Sequence, residues 1–191
     1  MWKNLVLSLL IGNSFTPCAI AKAKKIEPKK TLGTLNVTSS VLKAGTKIND
    51  NQVYNDFGCT GKNISPDLKW TGAPKDTTKA FAVTVYDPDA PTGSGWWHWM
   101  VYNIPASVDG LKLGEDFKTM PNVVQGRTDF GTSGYGGPCP PKGSKPHRYI
   151  FKVFALKDRI PLKSEDSAAK VGFYINQLKL AEGSLEAIYS R

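Results

Sequence analysis

Three short segments of this chain are apolar on both faces of an extended strand, and few folds can bury such a pattern. In residues 81–86, Phe81, Val83 and Val85 occupy one face while Ala82, Thr84 and Tyr86 occupy the other. Residues 99–104 and 149–156 are equally dense in aromatic and β-branched types. A strand with two apolar faces needs packing on both, which places these three at the centre of a covered sheet. Leu35 with Val37, and Leu68 with Trp70, alternate instead with polar neighbours. Gly and Pro punctuate the short apolar segments, and no internal repeat is present. The expectation is a mainly β fold (β-rich α+β) with a helix near the C-terminus. Ser164 caps that helix, which runs to about residue 180 with Val171, Ile175 and Leu178 on one stripe; Gly183 stops it, and a short closing strand spans 185–189.

A chain of 191 residues is expected to hold one core. Its first 21 residues differ from the rest: Lys3, an apolar run over 5–15, and the small residues Ala19 and Ala21 around Ile20 have the layout of a cleaved export signal. The run is shorter than the roughly 20 residues that span a bilayer. Residues 22–33 then read as a flexible basic tail, and 34–191 as the folded domain. The formal charge of +9 owes much to Lys3 and to Lys22, Lys24, Lys25, Lys29 and Lys30. A solvated tail accounts for those lysines, and no interleaving of basic and aromatic residues along a helix points to nucleic acid. Export, periplasmic or secreted, would remove Cys18 and leave Cys59 and Cys139 in an oxidising compartment, where a disulfide follows; the alternative is two unpaired buried thiols.

Chemistry is expected in two long loops, 87–95 (DPDAPTGSG) and 131–146 (GTSGYGGPCPPKGSKP), because ordering such loops costs conformational entropy that packing or binding must offset. The chain has two histidines, and each opens a predicted central strand: His98 that of 99–104, His147 that of 149–156. Asp87 and Asp89 stand at the exit of 81–86. If these strands are neighbours, all four side chains converge on one rim.

The motifs Asp87-Pro88-Asp89-Ala90-Pro91, Gly95-Trp96-Trp97-His98-Trp99, Gly137-Pro138-Cys139-Pro140-Pro141-Lys142-Gly143 and Pro146-His147-Arg148-Tyr149 resemble, in order and spacing, the phosphatidylethanolamine-binding protein family, also called Raf kinase inhibitor-like proteins, and within it the bacterial YbhB/YbcL branch. The resemblance implies a large antiparallel sheet packed against a smaller one, short peripheral helices, and a rim pocket that accepts phosphate, acetate or similar anions. It carries pocket positions over to Asp87, Trp96, His98, Pro141, His147 and Tyr149, with Asp89 as the second motif aspartate. The bacterial branch also shows cysteines at the places of Cys59 and Cys139, which implies a bridge bracing the pocket wall. No catalytic reaction or cofactor comes with the family as a class, and a homodimer is carried over from its bacterial members. Kinase inhibition is the family label, but export would part this chain from cytosolic kinases.

Read as chemistry, the two imidazoles, the Tyr149 hydroxyl and the N–H groups of the glycine-rich loop are the available anion donors. The aspartates belong behind them: a carboxylate that accepts from one ring nitrogen fixes the tautomer. Asp87 also suits an Asp-Pro turn, Asp89 a structural role, Tyr149 plain strand packing, and both histidines a rim with no ligand. Alternation sets Trp97 on the face opposite Trp96 and Trp99. The expected function is capture of a small phosphorylated or carboxylated group, free or on a protein partner, with affinity rising as pH falls through roughly 6 to 7, where an unperturbed imidazole gains charge. The alternatives are a phospholipid head-group binder or carrier, and a metal-dependent hydrolase using the histidines with an aspartate or with both cysteines.

Overall fold

The structure is a computed structural model that describes residues 32–191. The expected export signal, Cys18 and the basic tail up to residue 31 lie outside the described residues. In chain order the elements are β1 (Gly33–Thr34), β2 (Asn36–Thr38), β3 (Leu68–Thr71), β4 (Ala80–Asp87), β5 (Trp96–Pro105), β6 (Gly110–Leu111), β7 (Val124–Gln125), β8 (His147–Leu156), α1 (Ala168–Leu178) and β9 (Lys179–Tyr189).

The three doubly apolar segments are β4, β5 and β8, and they lie side by side. A six-stranded sheet runs β1-β9-β8-β4-β5-β7, and β2-β3-β6 form a second, three-stranded sheet. One face of the large sheet meets the small one: Phe81, Val83, Val85, Trp99, Val101, Phe151 and Val153 pack with Val37, Leu68, Trp70 and Leu111. On the other face Ala82, Met100, Tyr102, Phe154 and Leu156 pack against Val171 and Ile175 of α1. Both faces of β4 and β5 are therefore largely covered, as their sequence required, while on β8 the second face is covered only from Phe154 onward and leaves Ile150 and Lys152 half-buried.

Four details depart from the expected architecture. First, the large sheet is mixed: β1 pairs parallel with β9 while the remaining neighbours pair antiparallel. No hairpin joins β1 to β9, so nothing imposes the antiparallel direction there. Second, Gly33, assigned to the tail, is already in β1. Third, α1 is capped by Ser167, whose side chain accepts from Lys170 N, and not by Ser164, whose carbonyl takes Arg127 N–H from a distant loop. It is the one helix among the described residues. Fourth, Gly183 does not stop the helix. The chain passes from α1 straight into the eleven-residue β9, and Gly183 lies where an added Cβ would overlap the Leu35 carbonyl, so its role is close approach between backbones. No described helix is long and apolar enough to cross a membrane.

Candidate functional site

Because β8, β4 and β5 are adjacent and antiparallel, the end of β4 meets the beginnings of both neighbours. That brings Asp87, Trp96, His98, His147 and Tyr149 to one rim, where they line a cavity of ≈ 160 Å³. Pro141 contributes to its wall, so six of the seven expected positions converge.

A β-bulge aims His98. Val85 pairs with Trp99 and Tyr86 with Trp97, which leaves His98 as the extra residue of β5. An inserted residue shifts the parity of everything before it, so Trp96 stands on the cavity side while Trp99 lies in the core between the sheets. Trp97 takes the opposite face and stacks on Tyr86 at 4.5 Å between ring centroids. The loop before β8 holds the bulge: Gly136 N–H donates to the His98 carbonyl at 2.9 Å, and His98 Nδ1 lies 2.7 Å from the Gly136 carbonyl.

His147 is held differently. Its Nδ1 lies 2.7 Å from Asp87 Oδ2, and both groups are buried. Asp87 Oδ1 accepts Asp89 N–H at 2.8 Å, the Asp-Pro turn bond, so the carboxylate shapes its own loop and orients the imidazole at once. Asp89, by contrast, does not line the cavity. Its carboxylate accepts from Arg148 N, Nε and Nη2 at 2.8–2.9 Å, on the wall of a shallow groove outside the cavity that Lys145 shares. The hydrogen bonds from Arg148 hold it down to about 2. Its structural reading is the one the geometry supports.

Electrostatics separate the two imidazoles. His98 is fully buried, and burial, opposed by the bond with Gly136 and by the Asp87 and Asp129 carboxylates, pushes its pKa down from 6.5 to about 4. By itself it therefore gains no charge between pH 6 and 7, and any rise in anion affinity that it contributes across that window requires that a proton be taken up by the ring as the anion binds. A stability effect follows. Between about 6.5 and about 4 the unfolded chain binds a proton that the folded one refuses, so His98 contributes stability that is complete above the upper value and lost as pH falls to the lower. The gap corresponds to roughly 3 kcal/mol. Urea melts at about pH 7.5 and about pH 4 should show that loss in wild type and a shallower one in His98→Gln; equal slopes in both would remove the claim.

Tyr149 is buried, with its hydroxyl lacking a hydrogen-bond partner; burial first, and then the Asp87 carboxylate, push its pKa well up. The Nε1–H of Trp96, which lines the same cavity, is also buried without a partner. Two such donors on lining residues are unusual, because an unpaired buried donor is costly.

Sequence reasoning missed two aromatic walls. Phe130 packs edge-on against His98, with centroids 5.3 Å apart at 73°, and against Trp96 at 5.4 Å. Phe57 lines the mouth and is 58% exposed. Each is an aromatic residue followed by glycine within a loop, a faint signal at best. The Phe57 and Pro140 segments are tied together by the Cys59–Cys139 disulfide, with Cα atoms 6.0 Å apart, and by Arg191, which donates to the Pro140 and Gly58 carbonyls. Both cysteines are thus bridged and present no thiolate to a metal. Among the described residues no group of three or more His, Cys, Asp or Glu side chains is placed to hold one.

A family model for phosphatidylethanolamine-binding protein matches residues 38–190. The chain belongs to the phosphatidylethanolamine-binding protein family. Within that family it is 52% identical over 158 residues to YbcL of Escherichia coli, covering 80% of this chain and 86% of YbcL. It is 48% identical over 160 residues to YbhB of the same organism, covering 82% and 100%. The crystal structure of Escherichia coli YbcL superposes with a TM-score of 0.78 at 51% identity, covering 82% of this chain and 98% of that one. The fold is thereby shared with a protein of about half-identical sequence.

Proposed function

We propose that this phosphatidylethanolamine-binding family member is an exported binding module that captures a small oxyanion, a phosphoryl or carboxyl group free or displayed on a partner, and acts by that capture without catalysing a reaction. The observation that carries the reading is the convergence of the chain's only two histidines on one cavity. Size supports it: an apolar cavity of about 150 Å³ holds one benzene-sized molecule, so ≈ 160 Å³ suits a phosphoryl or carboxyl group and leaves no room for acyl chains. A lipid could thus enter by its head group alone. Surrounding charge adds a smaller term: Lys145 lines the adjoining groove, where Arg148 is paired with Asp89, and Lys142 and Arg191 share a neighbouring hollow with Asp50, which leaves a modest positive excess near the cavity. The unpaired donors of Trp96 and Tyr149 would gain from an acceptor. The disulfide suits the oxidising compartment that an exported chain enters.

Calorimetric titration of the purified chain with inorganic phosphate tests the proposal. Saturable binding at one site per chain is expected, weakened at least tenfold in His147→Ala. Equal affinity in that variant, or no binding at millimolar phosphate, would reject it.

A further inference from the structure

We propose that this cavity selects oxyanions that bring their own proton, meaning hydrogen phosphate or the monoanion of a phosphate monoester, because His98 offers it a lone pair where an anion site would ordinarily offer an N–H. The inference rests on the reading of the cavity as an anion site and narrows it to a class of ligand.

The geometry is simple. The partner of His98 Nδ1 is the Gly136 carbonyl, at 2.7 Å. A carbonyl oxygen only accepts, so Nδ1 carries the ring hydrogen, and Nε2 of the neutral ring is an acceptor. His147 differs, since its Nδ1 faces the Asp87 carboxylate and not a neutral carbonyl, so the requirement for a ligand hydrogen rests on His98 alone. An oxyanion with lone pairs on every oxygen would set lone pair against lone pair at His98. One hydrogen must lie between them, and either the ring or the ligand supplies it.

The surroundings make the ring a poor source. His98 is 4% exposed, with Phe130 and Tyr149 packed edge-on against it. The charges facing it are Asp87 from β4 and Asp129 from the loop beyond β7; β8 adds His147 and the phenol of Tyr149. Both carboxylates favour a proton on the ring, yet burial outweighs them and the ring titrates at about 4. An anion that lacks a proton must therefore draw one from water, losing about tenfold in affinity for each pH unit above that value. A phosphate monoester, whose second ionisation lies near pH 6, carries the needed hydrogen already. A sulfate ester has none, and a carboxylate has given its proton up by about pH 5.

The test compares O-phosphoserine with serine O-sulfate, titrated calorimetrically into the wild-type chain at about pH 5.5. There the phosphoryl and sulfuryl groups have the same shape and nearly the same charge, and differ in one O–H. Phosphoserine is expected to bind at least tenfold more tightly. Repeating the titrations in two buffers of different ionisation enthalpy counts protons: close to one should be taken up with the sulfate ester and a small fraction of one with phosphoserine. The sulfate ester should also gain about tenfold per unit as pH falls from about 7 to about 5, whereas phosphoserine levels off below about 6. Equal affinities with no proton uptake would overturn the proton requirement and leave the anion site standing. If neither ester binds at millimolar concentration, the anion reading itself fails and this inference fails with it.

Discussion

Gly137→Ala is expected to lower stability by about 4–5 kcal/mol, the range in which single substitutions are exceptional, and to abolish ligand binding in whatever fraction still folds. A Cβ at this position would overlap the Gln52 carbonyl oxygen and stand 2.7 Å from both Tyr54 N and Val53 C. All of these are backbone atoms, so no side chain can swing away. The segments are also bonded to each other: Gly137 N–H donates to Asn63 Oδ1 at 2.7 Å, Tyr54 N–H to the Pro138 carbonyl at 3.1 Å, and Asn63 Nδ2 to the Tyr135 carbonyl at 3.0 Å. Forcing them apart breaks these bonds, displaces the Gly136 carbonyl from His98 and moves the wall that carries Cys139. For a domain of this size the loss corresponds to a fall in Tm of roughly 10 °C or more, measured by circular dichroism. Gly172→Ala is the control. Nothing lies within 4 Å of an added Cβ there, and alanine in a helix interior should be neutral or stabilising by up to about 1 kcal/mol. A Gly137→Ala protein that melts with wild type would show that the two segments are not packed as described.

The same region shows what the sequence makes legible and what it hides. The centre of the sheet could be read because β4, β5 and β8 need apolar neighbours on both faces, and only neighbouring strands in a covered sheet provide them. The chemical residues followed, since Asp87, His98 and His147 sit at the ends of those strands. The bulge could not be derived, because strict alternation cannot set Trp96 and Trp99 on one side. Stating that both face away from Trp97 was correct, but the extra residue between them, His98, was the reason. The motif alone left Asp89 between a ligand and a structural role, because a second aspartate in a motif resembles a second ligand; the adjacent Arg148 engages it in space. The start of α1 was misjudged by one serine for a similar cause, a hydrogen bond from distant Arg127 to the carbonyl of Ser164. The state of His98 depends on a backbone carbonyl, and no side-chain motif announces that.

Removal of the Asp87 carboxylate has the other large expected effect. Asp87→Ala should cost about 2–4 kcal/mol, because each buried donor left without its acceptor costs about 1–3 kcal/mol. It leaves His147 Nδ1–H, in a residue 5% exposed, without an acceptor, and it frees Asp89 N–H, so the loop over the cavity loses its turn as well. Asp87→Asn separates these losses. Its carbonyl oxygen can still accept Asp89 N–H, while the amide nitrogen facing His147 donates, which drives the ring hydrogen from Nδ1 to Nε2. The asparagine variant should therefore keep more of the stability than the alanine variant and show the opposite His147 tautomer in ¹⁵N NMR of the imidazole. Phosphate binding should disappear in Asp87→Ala, where the ring is no longer oriented. If Asp87→Ala melts within about 1 kcal/mol of wild type, below what an orphaned buried donor should cost, then the carboxylate does not hold the ring, and the orientation of His147 must be sought in the packing of β8.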